Sequence, residues 1–182
     1  MTRWTRDTWL DLGLQQLANA GLAGVAIEPL CAAAGKTTGS FYHHFVDHPS
    51  YLVALAEHWR TLATDRVIDA VENRKGGSAM DALTDLAFEL DPRIEVRIRR
   101  LAERDEGAAI AIANVDRTRL DYLAKLYRTE FGAPAKLASD LARLDYAALM
   151  GFVLVGQDWD PATAKRIPKL LTRMTAAYLD SR

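Results

Sequence analysis

The sequence predicts an all-α protein of about nine helices, with a three-helix head at the N-terminus and a larger helical body after it. Apolar residues recur at spacings of three and four along nearly every segment, and no segment shows the sustained alternation and hairpin turns of β-strands. Hydrophobic residues make up 49% and charged residues 26% of the 182 residues, so the chain can bury a sizeable core. We expect the head to span residues 1–48 and the body residues 49–182.

Three helices are expected in the head, and recognisable signals bound them. The first runs from about Thr5 to Asn19, the second from Ile27 to Ala34, and the third from Thr38 to Phe45. Gly35 can end the second helix because glycine adopts the left-handed conformation that closes helices. The side chain of Thr37 can cap the third helix.

The body is expected to contain six further helices with the same kinds of signal. A helix start is favoured where Ser or Asp precedes the first turn and where Pro occupies its first position. The dipeptides Asp91-Pro92 and Asp160-Pro161 meet both conditions, and Ser78, with Asp81 three residues on, meets the first. The expected spans are about 49–74, 78–90, a sixth helix from 92, 106–131, 134–157 and a ninth from 161.

The cysteine content and the hydropathy narrow the class of protein. The single cysteine, Cys31, excludes an intramolecular disulfide and a multi-cysteine zinc site. It lies in the apolar pattern of the second helix, so we expect it to be buried. No apolar run approaches the ~18 residues that span a bilayer, and the first seven residues lack the apolar core of a signal peptide. These features favour a cytoplasmic protein.

The stretch from Ala34 to Phe45, AGKTTGSFYHHF, carries the strongest functional signal. A Gly-centred turn joins two short helices, as in a helix-turn-helix, whose second helix offers polar side chains to the major groove of DNA. Phe41 and Phe45 share a helix face, so we expect them to anchor the third helix in the core. On spacing alone, an ordinary helix connection is the alternative. The positions left for DNA are Thr37, Thr38, Gly39, Ser40, Tyr42 and His43.

Four stretches between residues 9 and 59 match a known pattern. They are AGL at 20–22, VAIE at 25–28 leading to LCAAAG at 30–35, TTGSFYHHF at 37–45, and YLVAL at 51–55. Together they resemble the DNA-binding head of the TetR family of bacterial transcription regulators, and GSFYHHF is the most specific part. The resemblance implies that the remaining helices form a body that binds a small effector and dimerises through the last two helices.

The function implied by this resemblance is a homodimeric, ligand-responsive regulator, most simply a repressor. Its two heads would read a pseudo-palindromic operator at a spacing of about 34–36 Å. Neither enzymatic activity nor a cofactor is expected. The alternatives are a small all-helical hydrolase and an adaptor without DNA binding. Against a hydrolase, no Ser/His/Asp ordering, reasoned carboxylate pair or Gly-rich phosphate loop stands out.

Three residues depart from the family pattern in ways that affect DNA binding. Ala26 stands where the family usually has a Thr or Ser that caps the second helix, at a cost of about 1 kcal/mol. Lys36 replaces an apolar turn residue, and its ammonium group can reach a phosphate. His48 replaces a Lys that contacts the DNA backbone. Because imidazole gains its charge as the pH falls, we expect binding to strengthen at lower pH.

The charge of the head is unusual for a nucleic-acid-binding protein. The whole chain carries a net charge of −1, whereas phosphate contacts usually come from clustered Lys and Arg. We therefore expect hydroxyls and helix N-termini to contribute to DNA binding, with a shallow salt dependence. The cations of residues 1–50 are Arg3, Arg6 and Lys36, and the acidic residues are Asp7, Asp11, Glu28 and Asp47.

Two other clusters have a structural interpretation. All four histidines fall within residues 43–58, but the adjacent His43 and His44 point about 100° apart on a helix, and no cysteine or carboxylate lies at ligand spacing. No metal site is expected. The charge of the Arg-rich stretch 93–100 is offset by Glu95, Glu103, Asp105 and Glu106, which favours a solvated face or an ion-pair network. The functional alternative is that Arg97 or Arg100 holds an anionic ligand group.

The body offers aromatic and apolar candidates for an effector pocket. In the TetR-like picture, part of the apolar stripe of the seventh helix lines this pocket, which suits a hydrophobic or aromatic molecule. The eighth and ninth helices are apolar over a wide arc and need two partners; the resemblance supplies the second partner as the same helices of another subunit. The predicted pocket residues are Trp59, Phe88, Arg97, Tyr122 and Tyr127.

Overall fold

The computed structural model describes residues 4–156 and 159–181. Within these ranges the chain forms nine helices and no strand, which confirms the predicted all-α class. A 3-10 turn, Gly21–Val25, links the first two helices. The helices are α1 (Arg6–Ala20), α2 (Ile27–Ala34), α3 (Thr38–Tyr42), α4 (His48–Arg60, a π-helical segment Thr61–Asp65, and Arg66–Glu72), α5 (Ala79–Glu89), α6 (Pro92–Ala102), α7 (Glu106–Phe131), α8 (Ala135–Val155) and α9 (Pro161–Asp180).

Side-chain caps begin several helices close to the predicted positions. Asp47, Ser78 and Asp160 each accept a hydrogen bond from the backbone N–H three residues later, at 2.8, 3.0 and 3.0 Å. These contacts satisfy N–H groups that a helix leaves without an internal partner. Hydrogen bonds to the caps also lower the pKa of both aspartates, because they stabilise the charged carboxylate.

Two predicted helix ends and the course of the fourth helix differ from the structure. The third helix ends at Tyr42 rather than Phe45, because the N–H of His44 donates to the carbonyl of Phe41, three residues earlier, and so tightens the turn after Tyr42. The fourth helix is not uniform, since the π-helical segment interrupts it. There Arg119 donates to the carbonyl of Ala63 at 3.1 Å. The eighth helix ends at Val155, and Gln157, its predicted end, lies outside the described residues.

The described chain divides into two compact units, and the first consists of residues 4–61 with 93–113. In this unit a contact between α1 and α4 joins Asp11 Oδ1 to His58 Nε2 at 2.7 Å. This division reflects packing, whereas the boundary predicted at residue 48 separates functions. That boundary stays a prediction. The largest fully buried side chains of this unit include Trp9, Leu10, Leu17, Leu30, Phe41, Tyr51, Leu55 and Ile98.

The second unit consists of residues 62–92 and the described part of 114–182. Its core also holds tyrosines whose hydroxyls donate to carboxylates, namely Tyr122 to Glu72 at 2.7 Å and Tyr146 to Asp116 at 2.6 Å. Such bonds satisfy phenol groups that would otherwise be buried without a partner. Among the described residues, no helix is long and apolar enough to cross a membrane. The apolar core includes Val71, Met80, Leu123, Leu126, Ala138, Leu141 and Ala142.

Candidate nucleic-acid interface

The turn between α2 and α3 is closed by backbone hydrogen bonds around Gly35. Gly35 has φ 61° and ψ 35°, a left-handed conformation that costs glycine little. Its N–H donates to Ala32 at 3.1 Å, and the N–H of Lys36 donates to Cys31 at 3.0 Å. This pair of bonds defines a Schellman motif. The turn therefore has the sharp, fixed geometry that the helix-turn-helix prediction required.

The start of α3 is held by Thr37, which lies in the extended conformation before the helix. Its Oγ1 accepts a hydrogen bond from the N–H of Ser40 at 3.3 Å. The hydroxyl proton of Thr37 is not used in this contact, so the same side chain can cap α3 and donate to a phosphate. Backbone bonds from His43 and Phe45 continue the helical path for three residues beyond Tyr42.

An aromatic cluster anchors α3 in the first unit. Phe41 and Phe45 are 0% and 4% exposed, and their ring centroids lie 5.1 Å apart. Trp9 of α1 meets Phe41 edge-on at 5.6 Å, and Tyr51 of α4 lies 5.0 Å from Phe45. Edge-on and tilted contacts of this kind add to the hydrophobic stabilisation. The predicted anchoring role of Phe41 and Phe45 is confirmed.

Most of the predicted DNA-contacting residues are exposed, in contrast to the buried aromatic rings of this cluster. Tyr42 is 51% exposed, although it neighbours the fully buried Phe41. Ser40 and His48 are half-buried. Exposed polar groups on a short, anchored helix are what a major-groove reader requires. The exposed members of the predicted set are Lys36, Thr37, Thr38, Gly39, Tyr42 and His43.

Gly39 stands at the exposed surface of α3 without a packing reason to be glycine. A Cβ built on it would meet only Thr37 Oγ1, at 3.7 Å, which is ordinary van der Waals contact. Its φ is not positive, so alanine can adopt the same backbone. Any need for glycine at this position must therefore come from a molecule that approaches α3 from outside.

Two contacts near the N-terminus were not predicted from the sequence. Arg6 lies over the ring of Phe45 at 5.3 Å from its centroid, and Lys36 Nζ lies 5.5 Å from the centroid of the Trp4 ring. Both are cation–π contacts. They join residues about 30 to 40 positions apart, and no local spacing in the sequence announces them. They place two of the three cations of residues 1–50 beside the helix-turn-helix.

Comparisons with known proteins identify the fold. No family profile and no curated protein sequence matches the chain. Solved structures do match: E. coli NemR in its reduced form has a TM-score of 0.77 at 18% identity, with 94% of this chain and 96% of that chain covered. A transcriptional regulator from Saccharomonospora viridis in complex with choline has a TM-score of 0.77 at 14% identity, covering 92% and 93%. A protein from Shewanella sp. PV-4, described as a TetR-family transcription regulator, has a TM-score of 0.59 at 21% identity, covering 93% and 96%. The chain has the TetR-family fold.

Within the TetR-family fold, the first departure from the family pattern is visible at the start of α2. Ala26 makes no side-chain cap, as expected for alanine. Pro29 occupies the third helical position and has no N–H, so one of the donors that a cap would serve is absent. This reduces the loss that follows from replacing a Thr or Ser cap.

His48 has a contact that its predicted role did not include. Its Nε2 lies 2.9 Å from the carbonyl oxygen of Val25, so Nε2 carries the proton and donates, because a carbonyl only accepts. The imidazole also stacks on Tyr51 with an interplanar angle of 27°. Protonation would keep the bond to Val25 and make Nδ1 a second donor. A phosphate contact through Nδ1 stays a prediction for this TetR-like head.

The five predicted pocket residues are divided between the two units. Trp59 and Arg97 belong to the first unit, and Phe88, Tyr122 and Tyr127 belong to the second. Trp59 is buried. The guanidinium of Arg97 donates to main-chain carbonyls of α1, and Tyr122 and Tyr127 donate to Glu72 and Asp145. Their polar groups are thus engaged inside the protein, and a role in ligand binding stays a prediction.

One cleft of about 370 Å³ opens along α1 and α4 in the first unit. It is lined by charged residues of both signs, and none of the five predicted pocket residues lines it. Two of its charged residues, Arg60 and Glu57, pair with each other at 2.7 Å.

Among the described residues, no group of three or more His, Cys, Asp or Glu side chains is placed to hold a metal ion. Cys31 is buried as predicted, and burial raises the pKa of its thiol.

Proposed function

We propose that this protein is a DNA-binding transcription regulator of the TetR type that acts as a homodimer on a pseudo-palindromic operator, most simply as a repressor. The contrast between buried aromatic rings and exposed polar groups at α3 carries the proposal. Phe41 of α3, and Phe45 just after it, are buried, while hydroxyl, phenol and imidazole groups of residues 37–43 are exposed. A five-residue helix held so firmly, yet polar on its free side, is suited to insertion in a major groove.

The proposed contacts fall into two classes. Side chains at the start of α3 and around the turn are suited to phosphates, because backbone N–H groups at a helix N-terminus also favour anions. Tyr42 and His43, at the other end of α3, are suited to base edges. The residues proposed to contact DNA are Lys36, Thr37, Thr38, Gly39, Ser40, Tyr42, His43 and His48.

A homodimer is supported by apolar side chains that α8 and α9 leave exposed. Leu154 and Met174 are 62% and 61% exposed, and such groups are costly in water. Several exposed apolar residues on two helices that are consecutive in the chain indicate a protein interface. A symmetric dimer is the commonest way to cover such an interface. The other members are Leu144, Val155, Leu170 and Tyr178.

A small-molecule effector would regulate this dimer. The choline complex of the Saccharomonospora viridis regulator supports the idea that a body of this fold holds a small molecule. Of the residues predicted from the sequence to line its pocket, we propose Phe88, Tyr122 and Tyr127, which belong to the second unit. An effector that favours a head spacing unsuited to the operator would lower DNA affinity, with a coupling of about 1–3 kcal/mol.

The proposal is tested with duplexes that the full-length protein selects from random DNA. Fluorescence anisotropy then compares the wild type with Tyr42→Ala combined with His43→Ala. The matched control is Gln15→Ala combined with Asn19→Ala, two exposed positions of α1 in the same unit. We expect the first pair to abolish specific binding and the control to retain it, with unchanged circular dichroism for both. Equal binding by all three proteins would reject the proposal, and failure of the wild type to select any sequence would favour the hydrolase or adaptor alternatives.

A further inference from the structure

We propose that Arg97 is a positioning residue for DNA binding: from α6 it holds the C-terminal end of α1, and through the 21–25 link it fixes where α2 begins. The inference rests on the proposed function. It identifies a residue far from α3 that controls the affinity of the protein for DNA. Arg97 acts through main-chain groups of α1 rather than by contact with DNA.

The first observation is the contact itself. One guanidinium nitrogen of Arg97, Nη1, donates to the carbonyl of Leu17 at 2.8 Å and also to the carbonyl of Ala18. These two carbonyls belong to the last turn of α1, and the Leu17 carbonyl also accepts from the N–H of Gly21. Leu17 and Ala18 are both buried, so water is a poor substitute for the arginine.

The second observation is that α1 has no cation of its own at this end. Its last turn contains no basic residue, although a positive charge is favourable at a helix C-terminus. Arg97 supplies that charge from 80 positions away in the sequence. It lies on a helix whose apolar residues Ile98 and Leu101 are buried, so the guanidinium is presented from a packed element.

The link of residues 21–25, which follows α1, is attached to the end of that helix. Gly21 closes α1 with φ 68°, and its N–H donates to the same Leu17 carbonyl that Arg97 contacts. The link then packs tightly on α1, because a Cβ on Gly24 would stand 2.7 Å from the carbonyl oxygen of Gln16. The position of residues 21–25 is therefore tied to the end of α1.

The far end of the link is held by a second donor. Val25 is buried and accepts the hydrogen bond from His48. Immediately after it, Ala26 begins α2 without a side-chain cap. The entry to the helix-turn-helix thus depends on two donors from outside it, Arg97 at the end of α1 and His48 at Val25. Consequently residues 93–113, which pack in the same unit as residues 4–61, are part of the DNA-binding machinery.

The test compares full-length Arg97→Ala and Arg97→Lys with Arg100→Ala, an exposed arginine on the same helix. Amide exchange of Gly21, followed by NMR, reports directly on the end of α1. Affinity for the selected operator, measured at several salt concentrations, reports on DNA binding. Loss of a charge-assisted hydrogen bond predicts about tenfold faster exchange and about tenfold weaker binding for Arg97→Ala. Arg97→Lys should fall between, because one ammonium group can still reach a carbonyl, and Arg100→Ala should match the wild type.

The salt dependence separates positioning from direct contact. If Arg97 acts through α1, the slope of log affinity against log salt stays at the wild-type value in Arg97→Ala; loss of a phosphate contact would reduce it by about one. A reduced slope, or unchanged exchange and affinity, overturns the proposal. Should Arg97→Ala fail to fold, Arg97→Gln carries the same comparison, since its amide can donate to one carbonyl. If the wild type selects no DNA, the proposed function fails, while the exchange of Gly21 still decides whether Arg97 holds α1.

Discussion

The phenol oxygen of Tyr51 lies directly against Gly13. A Cβ built on Gly13 would stand 2.1 Å from that oxygen and 2.9 Å from Leu55 Cδ1, so α1 and α4 approach each other through the missing side chain. The same oxygen is buried and has no hydrogen-bond partner among the described residues. Burial also raises the pKa of Tyr51, because the phenolate would lose its hydration.

Replacing Tyr51 with Phe should not destabilise the protein. The ring contacts with Phe41 and Phe45 would remain, and a buried hydroxyl without a partner would be removed. We expect the free energy of unfolding to stay the same or to rise by about 1 kcal/mol, measured by urea denaturation. A loss of more than about 1 kcal/mol would mean that the hydroxyl has a partner.

Replacing Gly13 with Ala should lower the free energy of unfolding by about 1–3 kcal/mol, because the added methyl group overpacks the contact between α1 and α4. Part of this loss should disappear in the Tyr51→Phe background, since the nearest atom is then gone. Denaturation of the two single variants and the double variant measures the coupling. Strict additivity would contradict the proposed contact.

Replacing Gly39 with Ala should keep the stability of the protein but weaken its binding to DNA. Because a Cβ there meets nothing closer than 3.7 Å, and alanine favours helix, the free energy of unfolding should be unchanged or rise by up to about 1 kcal/mol. Operator binding should weaken about tenfold or more if DNA approaches the backbone closely. Thermal denaturation and anisotropy are compared for this variant and Gly13→Ala. Wild-type affinity in Gly39→Ala would show that no close approach occurs.

His48→Lys should separate the two roles of this position. Loss of the bond to Val25 should lower the free energy of unfolding by about 1 kcal/mol. Operator binding should nevertheless tighten, because a permanent charge that can contact a phosphate outweighs the lost donor at Val25. Equal affinities of the two proteins for the selected operator would exclude a phosphate contact at position 48.

The Asp47 cap predicts a pH-dependent contribution to stability. Hydrogen bonds from Ser50 lower the pKa of Asp47 in the folded state, so its contribution is present above the ordinary pKa of about 3.9 and is lost as the pH falls through the lower folded value. Asp47→Ala should therefore be less stable than the wild type at neutral pH and similar to it in acid. Asp47→Ser, an uncharged cap, is the control and should show a smaller dependence on pH. A difference between the wild type and Asp47→Ala that persists unchanged in acid would contradict this assignment.

Local signals in the sequence were sufficient for much of the fold. Gly35 and Thr37 bound the turn as predicted, and the spans Ile27–Ala34 and Glu106–Phe131 match the structure. The spacing of Phe41 and Phe45 also predicted which side of α3 is buried. These features depend on residues within a few positions of one another, which is the range over which propensity, capping and helical period act.

The remaining features arise from contacts between residues far apart in the chain. Nothing in the pattern of residues 93–100 indicates that Arg97 would reach the end of α1, because the partners are backbone carbonyls that every residue carries. The same holds for His48 and Val25. The π-helical segment of α4 was missed for a related reason, since Arg119 contacts it from α7. Sequence spacing therefore predicted the elements, whereas their polar contacts required the tertiary structure.

Whether α3 reads an operator is decided by the sequence that the full-length wild-type protein enriches from random duplex DNA. A homodimer with one α3 per subunit should select an inverted repeat whose half-site centres lie about 10 base pairs, or a multiple of the helical repeat, apart. Loss of that enrichment in Tyr42→Ala with His43→Ala, with retention in Gln15→Ala with Asn19→Ala, would assign the reading to α3. Enrichment of no sequence by the wild type, or the same repeat from both double variants, would contradict recognition of an operator by α3.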